Sequence, residues 1–265
     1  MYQRRQAVKT VILAGGLPST LETRADKIPK PMAAIGERPI LWHIMKLFSF
    51  YGYNEFIICA GFRSDLIKEY FLNYYIYSSD ITVHLKSNRV DIHNKITEPW
   101  HVSVVDTGLV TTTAERLYRV RSMLEEDFFV IYGDCISNVD VPSLAACHGD
   151  AGKLMTVVLA KPSGRNRIVP LDDGGDIMAP NARASAPQDA WTNACMMVVS
   201  PEVVRRKPFP RERFEVETMH RLAAARQVNA YRHHGFWSPV ETVRDRDSLQ
   251  SMWDEGNPPW RIWLD

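Results

Sequence analysis

Two short stretches carry residue types and spacings that can do chemistry. VILAGGLPST, residues 11–20, is an apolar run that stops at Gly15 and Gly16, and FFVIYGDC, residues 128–135, is a second apolar run that stops at Gly133 and Asp134. In a parallel sheet, ligands bind beyond the carboxyl ends of the strands, near a switch in strand order. Glycines at such an end let backbone N–H groups approach phosphates. An aspartate there is a hard oxygen donor of the kind Mg²⁺ takes. Taken singly, each has a plainer reading: a Gly-Gly pair is a turn, and a strand-end aspartate is a helix cap. No Ser-His-Asp arrangement stands out. The four cysteines (Cys59, Cys135, Cys147, Cys195) are far apart and form no C-x-x-C pair. Reduced thiols fit that pattern better than disulfide staples or zinc.

The elements that must position these residues follow from periodicity. AVKTVILA, NEFIICAGF, HVSVVDTG and FFVIYGD are short, β-branched or apolar runs that read as strands. Between them, PILWHIMKLFSFYGY has apolar residues at helical spacing, with proline in the first turn and Gly52 at its close. SDLIKEYFLNYY reads as a second helix capped by Ser64, and TAERLYRVRSMLEE as a third. This alternation implies βαβ units and a mainly parallel sheet. ITVHLKSNRVDIHNK interrupts the pattern as a hairpin or excursion. After residue 150, KLMTVVLA, WTNACMMVVS and VNAYRHH are expected strands, and FEVETMHRLAAARQ and a segment ending near Gly256 are expected helices. The Gly-, Pro- and Asp-rich stretch between the first two strands is expected to form turns over the sheet.

With 265 residues, 45% of them hydrophobic and 24% charged, the chain can bury a substantial core. Its formal net charge of +1 gives no reason to expect nucleic acid or an anionic membrane as partner. The apolar run VILA near the N-terminus is too short for a signal peptide or a membrane span. A cytoplasmic protein is the expectation.

Read together, VILAGG, KIPKPMAAIGERPILWHIM, VDTG, YGD, HGFWSPVETVRD and WDEGNPPW resemble the sugar-1-phosphate nucleotidyltransferases. PILWHIMK, EPWHVSVVDTG and the C-terminal GFW…G-x-x-PW are similar to the glucose-1-phosphate cytidylyltransferase subfamily in particular. The resemblance runs nearly end to end. It implies a Rossmann-like α/β nucleotidyltransferase fold, a mainly parallel mixed sheet flanked by helices. It also implies one domain over residues 1–265, with a nucleotide-binding half (1–150) and a sugar-binding half (151–265). The implied partners are a nucleoside triphosphate, with CTP favoured, and a sugar phosphate, with Mg²⁺ as cofactor and a homo-oligomeric state. By position, Leu13, Ala14, Gly15 and Gly16 would wrap the nucleotide, and Thr107 and Gly108 would form its base and ribose pocket. Lys30 would face the phosphates. Asp134 and Glu241 would hold the metal, and Asn193, Glu215 and Glu217 would reach the sugar.

The ligand-facing loops depart from the family pattern. Where the family has G-G-x-G-T-R, this chain has GGLPST, so Pro18 deletes an N–H donor and fixes φ. The phosphate-loop arginine is missing, and Arg24 is the candidate substitute, with Lys27 nearby. Ala114 and Glu115 replace the glycines of T-G-G-R-L, which would set a glutamate where backbone should lie against a base. The family's E-K-P falls in APNARASAP, where Arg183 is the only cation near the site. N-G-G has become Asn193-Ala194-Cys195, and Asn138 stands where the family has an acid. Two alternatives therefore stay open beside nucleotidyl transfer: a different reaction on a phosphorylated or nucleotide-linked substrate, and a non-catalytic relative that binds ligand. His233 and His234 read as structural, the tryptophans near the C-terminus as core or subunit contact, and RRKPFPRER (205–213) as a solvated basic loop.

Overall fold

The computed structural model describes residues 8–16, 28–93, 97–161, 168–169, 177 and 190–264. The first apolar run forms β1 (Thr10–Ala14), buried along its whole length. A short antiparallel pair, β2 (Ala34–Ile35) and β3 (Arg38–Pro39), leads into α1 (Ile40–Phe50). Then come β4 (Glu55–Ala60), α2 (Ser64–Leu72), α3 (Tyr74–Tyr77), the hairpin β5 (Asp80–His84) and β6 (Arg89–His93), and β7 (His101–Asp106). Next in the chain are α4 (Thr113–Val120), β8 (Phe128–Tyr132), β9 (Cys135–Ser137), α5 (Val141–Ala151) and β10 (Met155–Ala160). The remainder supplies β11 (Ile168–Val169), β12 (Trp191–Val199), α6 (Pro201–Arg205), α7 (Met219–Ala224), β13 (Val228–Arg232), β14 (Trp237–Pro239) and α8 (Val243–Asp254).

The main sheet runs β13-β10-β12-β8-β1-β4-β7, with β11 added against β12. Pairings β1–β4, β1–β8, β4–β7 and β10–β13 are parallel, and β12 runs antiparallel to both β8 and β10. This is the mainly parallel mixed sheet expected from the alternation of strands and helices. The chain leaves β1 towards β4 and β7 on one side and returns to β8 on the other. The switch point therefore lies at the carboxyl ends of β1 and β8, where Gly15 and Asp134 stand.

Local differences from the sequence reading have identifiable causes. Ser64 is the first residue of α2 rather than its cap; Arg63 precedes it in a left-handed conformation (φ 49°), and the Ser64 hydroxyl donates to Asp106 instead. The helix expected through residue 75 breaks at Asn73, whose amide side chain donates back to the Glu69 carbonyl. The segment at FEVET begins as a π-helix, Phe214–Thr218, before tightening into α7. Of the Gly/Pro/Asp-rich stretch, only residues 168–169 and 177 between positions 162 and 189 are among the described ones. No helix among the described residues is long and apolar enough to cross a membrane.

The C-terminal segment closes the core over α1. Trp260 is 1% exposed and Trp263 4%, and both lie against α1 beside Trp42 and His43. His43 is held in one neutral form: its Nε2–H donates to the Ile35 carbonyl at 2.9 Å, while Nδ1 accepts from the Trp260 indole at 3.4 Å. A second ring proton would oppose the indole N–H. Desolvation, the largest influence, lowers the His43 pKa to about 4, partly offset by its bond to Ile35. The unfolded chain takes this proton near 6.5 and the folded chain only near 4. Over that window the unfolded state binds more protons, so stability rises with pH and is lost as pH drops. The expected loss from pH 7 to pH 4 is about 3 kcal/mol from this residue. Denaturant unfolding of the wild type and His43→Gln at both pH values reads it as the difference in slope, and parallel slopes would refute it.

Candidate active site

At the switch point the chain builds a cavity of about 510 Å³. Its walls come from the end of β1 (Leu13–Gly16), the turn Pro29–Pro31, Thr111–Thr113 with Arg116 of α4, Tyr132–Asp134 after β8, and Arg213 and Glu215 of the π-helix region. The Lys30–Met32 segment is a 3-10 turn that follows Pro29 and contains Pro31, and its lysine reaches Asp134 just past β8. Lys30 Nζ donates to Asp134 Oδ2 at 3.3 Å, with both side chains about one-third exposed (32% and 29%). Gly133 makes that approach possible, because a Cβ there would meet Pro31 Cγ at 2.6 Å. The Gly133 N–H donates to the Leu13 carbonyl at 3.0 Å and ties the two strand ends together.

Glu241 is brought near Asp134 through the backbone, although it is not among the residues that line the cavity. β14 pairs with β9, and the Val240 N–H donates to the Asp134 carbonyl at 2.7 Å, so the next residue, Glu241, stands beside Asp134. Its charge acts on the neighbouring Cys135 thiol. That thiol lies in contact with Cys195, and burial pushes its pKa far above the ordinary value. Cys135 is therefore protonated at neutral pH and unsuited to act as a nucleophile. Cys195 takes the left-handed conformation (φ 60°) at the β12 bulge, and Asn193 Oδ1 accepts its N–H at 2.8 Å.

The sequence-derived site divides accordingly. Leu13, Ala14, Gly15, Gly16, Lys30, Asp134 and Glu215 line one cavity. Thr107 and Gly108 are not among the lining residues: the Thr107 hydroxyl donates to the Ala60 carbonyl and the Gly108 N–H to Asp106, while Asn193 spends its side-chain oxygen on its own bulge. Glu217 is ion-paired to Arg213 at 3.0 Å and also accepts the Arg213 N–H at 2.8 Å, which fixes the arginine at the cavity wall. Glu215 Oε1 accepts from the Tyr132 hydroxyl. Arg24 and Arg183, with Pro18 and Lys27, lie outside the described residues.

Glu115 does not project into the cavity as expected from the family pattern. It forms a capping box, accepting the Thr112 N–H at 2.9 Å while its own N–H donates to Thr112 Oγ1 at 3.3 Å. Asn138 likewise braces the C-terminal segment, donating to Pro259 and accepting from Phe236. His233 is structural, its Nε2 bonded to the Phe236 carbonyl. Arg213, read from sequence as part of a solvated loop, is a cavity residue. So is Arg116, which stands where the T-G-G-R-L pattern has its arginine.

The glucose-1-phosphate cytidylyltransferase of Salmonella typhi is 38% identical to this chain over 262 residues, covering 97% of this chain and 100% of that protein. The chain belongs to the glucose-1-phosphate cytidylyltransferase family. A Bacillus subtilis protein named as a probable glucose-1-phosphate cytidylyltransferase is 33% identical over 97% of this chain and 100% of its own length. No protein-family model matches. Among solved structures, HddC from Yersinia pseudotuberculosis complexed with GMP-PN superposes with a TM-score of 0.68 at 16% identity, over 93% of this chain and 99% of that one. That likeness supports the fold. In this member of the cytidylyltransferase family, the glycine pair, Lys30 and Asp134 lie together at the switch point.

The donors at this mouth fit a hard divalent cation. Asp134 offers carboxylate oxygens in the cavity wall, Glu241 follows the Val240 that bonds its backbone, and no cluster of three or more His, Cys, Asp or Glu occurs among the described residues. One or two carboxylates completed by water and substrate phosphates is the pattern Mg²⁺ prefers.

Proposed function

We propose that this protein joins a sugar 1-phosphate to CTP and releases pyrophosphate. The observation that carries the proposal is the Lys30–Asp134 pair at the β1/β8 switch point, facing the glycine pair in one cavity. An oxygen of the sugar phosphate attacks the α-phosphorus, a new P–O bond forms, and the bond to the β-phosphate oxygen breaks with its electron pair leaving on pyrophosphate. Both reactants are anions, so the site must first bring like charges together. Lys30 supplies a cation at the phosphates, and Arg213, steadied by Glu217, supplies another. Gly15 and Gly16 line the same cavity, where backbone N–H groups would complement phosphate oxygens. Glu215, oriented by Tyr132, is placed to accept sugar hydroxyls. Mg²⁺ bound by Asp134 and Glu241 would neutralise charge on the triphosphate.

No side chain is required to form a covalent intermediate, in keeping with the buried, protonated Cys135. The test is pyrophosphate release by purified protein supplied with Mg²⁺, glucose 1-phosphate and each of CTP, UTP, GTP and ATP in turn. Turnover with CTP is expected. Silence with all four nucleotides would sink the proposal.

A further inference from the structure

The basic loop 205–213 is anchored by one buried carboxylate. Glu212 is 1% exposed. It accepts from the Arg206 guanidinium at 2.6 Å, from the Phe209 N–H at 3.1 Å and from the Thr218 hydroxyl at 2.6 Å. A carboxylate in such a place must have its oxygens bonded, and here both are. Burial pushes its pKa up, but the bonds from Thr218, Arg206 and Phe209 outweigh that. The carboxyl therefore sits below its ordinary value and is charged at neutral pH.

The bond to Thr218 closes across the π-helix Phe214–Thr218. Glu212 lies just before that turn, and Thr218 is its last residue, itself buried. The Met219 N–H donates to the Phe214 carbonyl five residues back. Such a turn carries more residues than an α-turn and is rare, so a strap outside its own backbone bears on its survival. Tightening it to an α-turn would rotate the residues that follow by about 100° each relative to those before. Arg213 and Glu215, one at the entry of the turn and one inside it, would then no longer share the cavity wall.

That wall holds a cation and a carboxylate two residues apart, and Glu215 is bonded to Tyr132 at the end of β8. The combination suits a molecule with a phosphate at one end and hydroxyls at the other. We infer that Glu212, through its bond to Thr218, is a positioning residue that holds the π-turn in register and so sets the affinity of the site for the sugar phosphate. The inference rests on the proposed use of this cavity for nucleotidyl transfer. Glu212 does not line the cavity, and its effect passes through Arg213 and Glu215.

The test compares Thr218→Val, which nearly keeps the shape and deletes the donor, with Thr218→Ser, which keeps the donor. Steady-state kinetics with Mg²⁺, CTP and glucose 1-phosphate is expected to give Thr218→Val a KM for glucose 1-phosphate about tenfold higher, with KM for CTP within about twofold of wild type. Thr218→Ser should stay within about threefold of wild type in both. A joint rise of the two KM values, no rise in either, or equal rises in the two variants would make the bond a feature of the fold alone and overturn the inference. Hydrogen exchange on the wild type needs no variant and stands even if Thr218→Val fails to fold. The N–H groups of Val216, Glu217 and Met219, bonded back to Arg213 and Phe214, should exchange as slowly as those of α7. Rapid exchange confined to these three would also overturn it. No turnover by the wild type with any nucleotide would sink the proposed function itself, whereas turnover with an unaltered KM in Thr218→Val sinks only the role of Glu212.

Discussion

Asp134→Asn should lower kcat/KM for pyrophosphate release roughly 10³-fold and leave the protein folded. The carboxylate serves the site, whereas position 134 serves the fold through its backbone. The Asp134 carbonyl accepts the Val240 N–H at 2.7 Å, a bond that asparagine keeps. The side chain is partly exposed, and its ion pair with Lys30, at 3.3 Å, contributes little stability in that setting. The substitution removes the negative charge that opposes Lys30 and with it a hard donor for a divalent cation. Steady-state kinetics with CTP and glucose 1-phosphate, alongside a melting curve, separates the two effects. A loss smaller than tenfold in a protein that melts normally would show that the reaction does not depend on this carboxylate.

Gly15→Ala is expected to be the most damaging small change in the phosphate turn. A Cβ at position 15 would occupy the space of the Arg116 guanidinium, whereas a Cβ at position 16 would meet nothing within 4 Å. Room for the methyl can come only by displacing Arg116, which is buried and bonded to Thr107, Ala60 and Leu109. Overpacking and the loss of charge-assisted bonds together should cost about 3 kcal/mol. For a chain of this size that lowers Tm by roughly 6–12 °C. Added CTP should no longer raise the melting temperature. Gly16→Ala is the control and should melt within about 1–2 °C of wild type. Equal stability of the two variants would show that the turn yields without disturbing the arginine.

The framework was legible where composition leaves little choice. β1, β4 and β8 are nearly continuous apolar runs, and α1 buries eight of its eleven residues, so periodicity alone specifies them. Helix α5 was missed because VPSLAACHGDA is rich in small residues and weakly periodic. Its signals were the Asp140 cap, Pro142 in the first turn and Gly152 at φ 57°. The Thr112-x-x-Glu115 capping box was also written in the sequence, and it outweighs the family pattern that suggested a glutamate in the base pocket.

Side-chain direction within the site was far less legible. Glu215 and Glu217 are two residues apart, yet one lines the cavity and the other holds Arg213, a split set by the π-helical turn beneath them. Arg116 falls on the arginine of the T-G-G-R-L pattern, but its burial is not written there. Only the closeness of the β4 and β7 ends to Gly15 turns it into a buried cation, and that is a property of tertiary packing.

The covering of α1 by Trp260 and Trp263 has a consequence for biosynthesis. Strands β1, β4 and β8 leave the ribosome long before those tryptophans are made, so the nascent sheet carries an uncovered α1 flank through most of translation. Chaperone capture of stalled chains should persist until that last aromatic pair has emerged, and Trp260→Ala should prolong it.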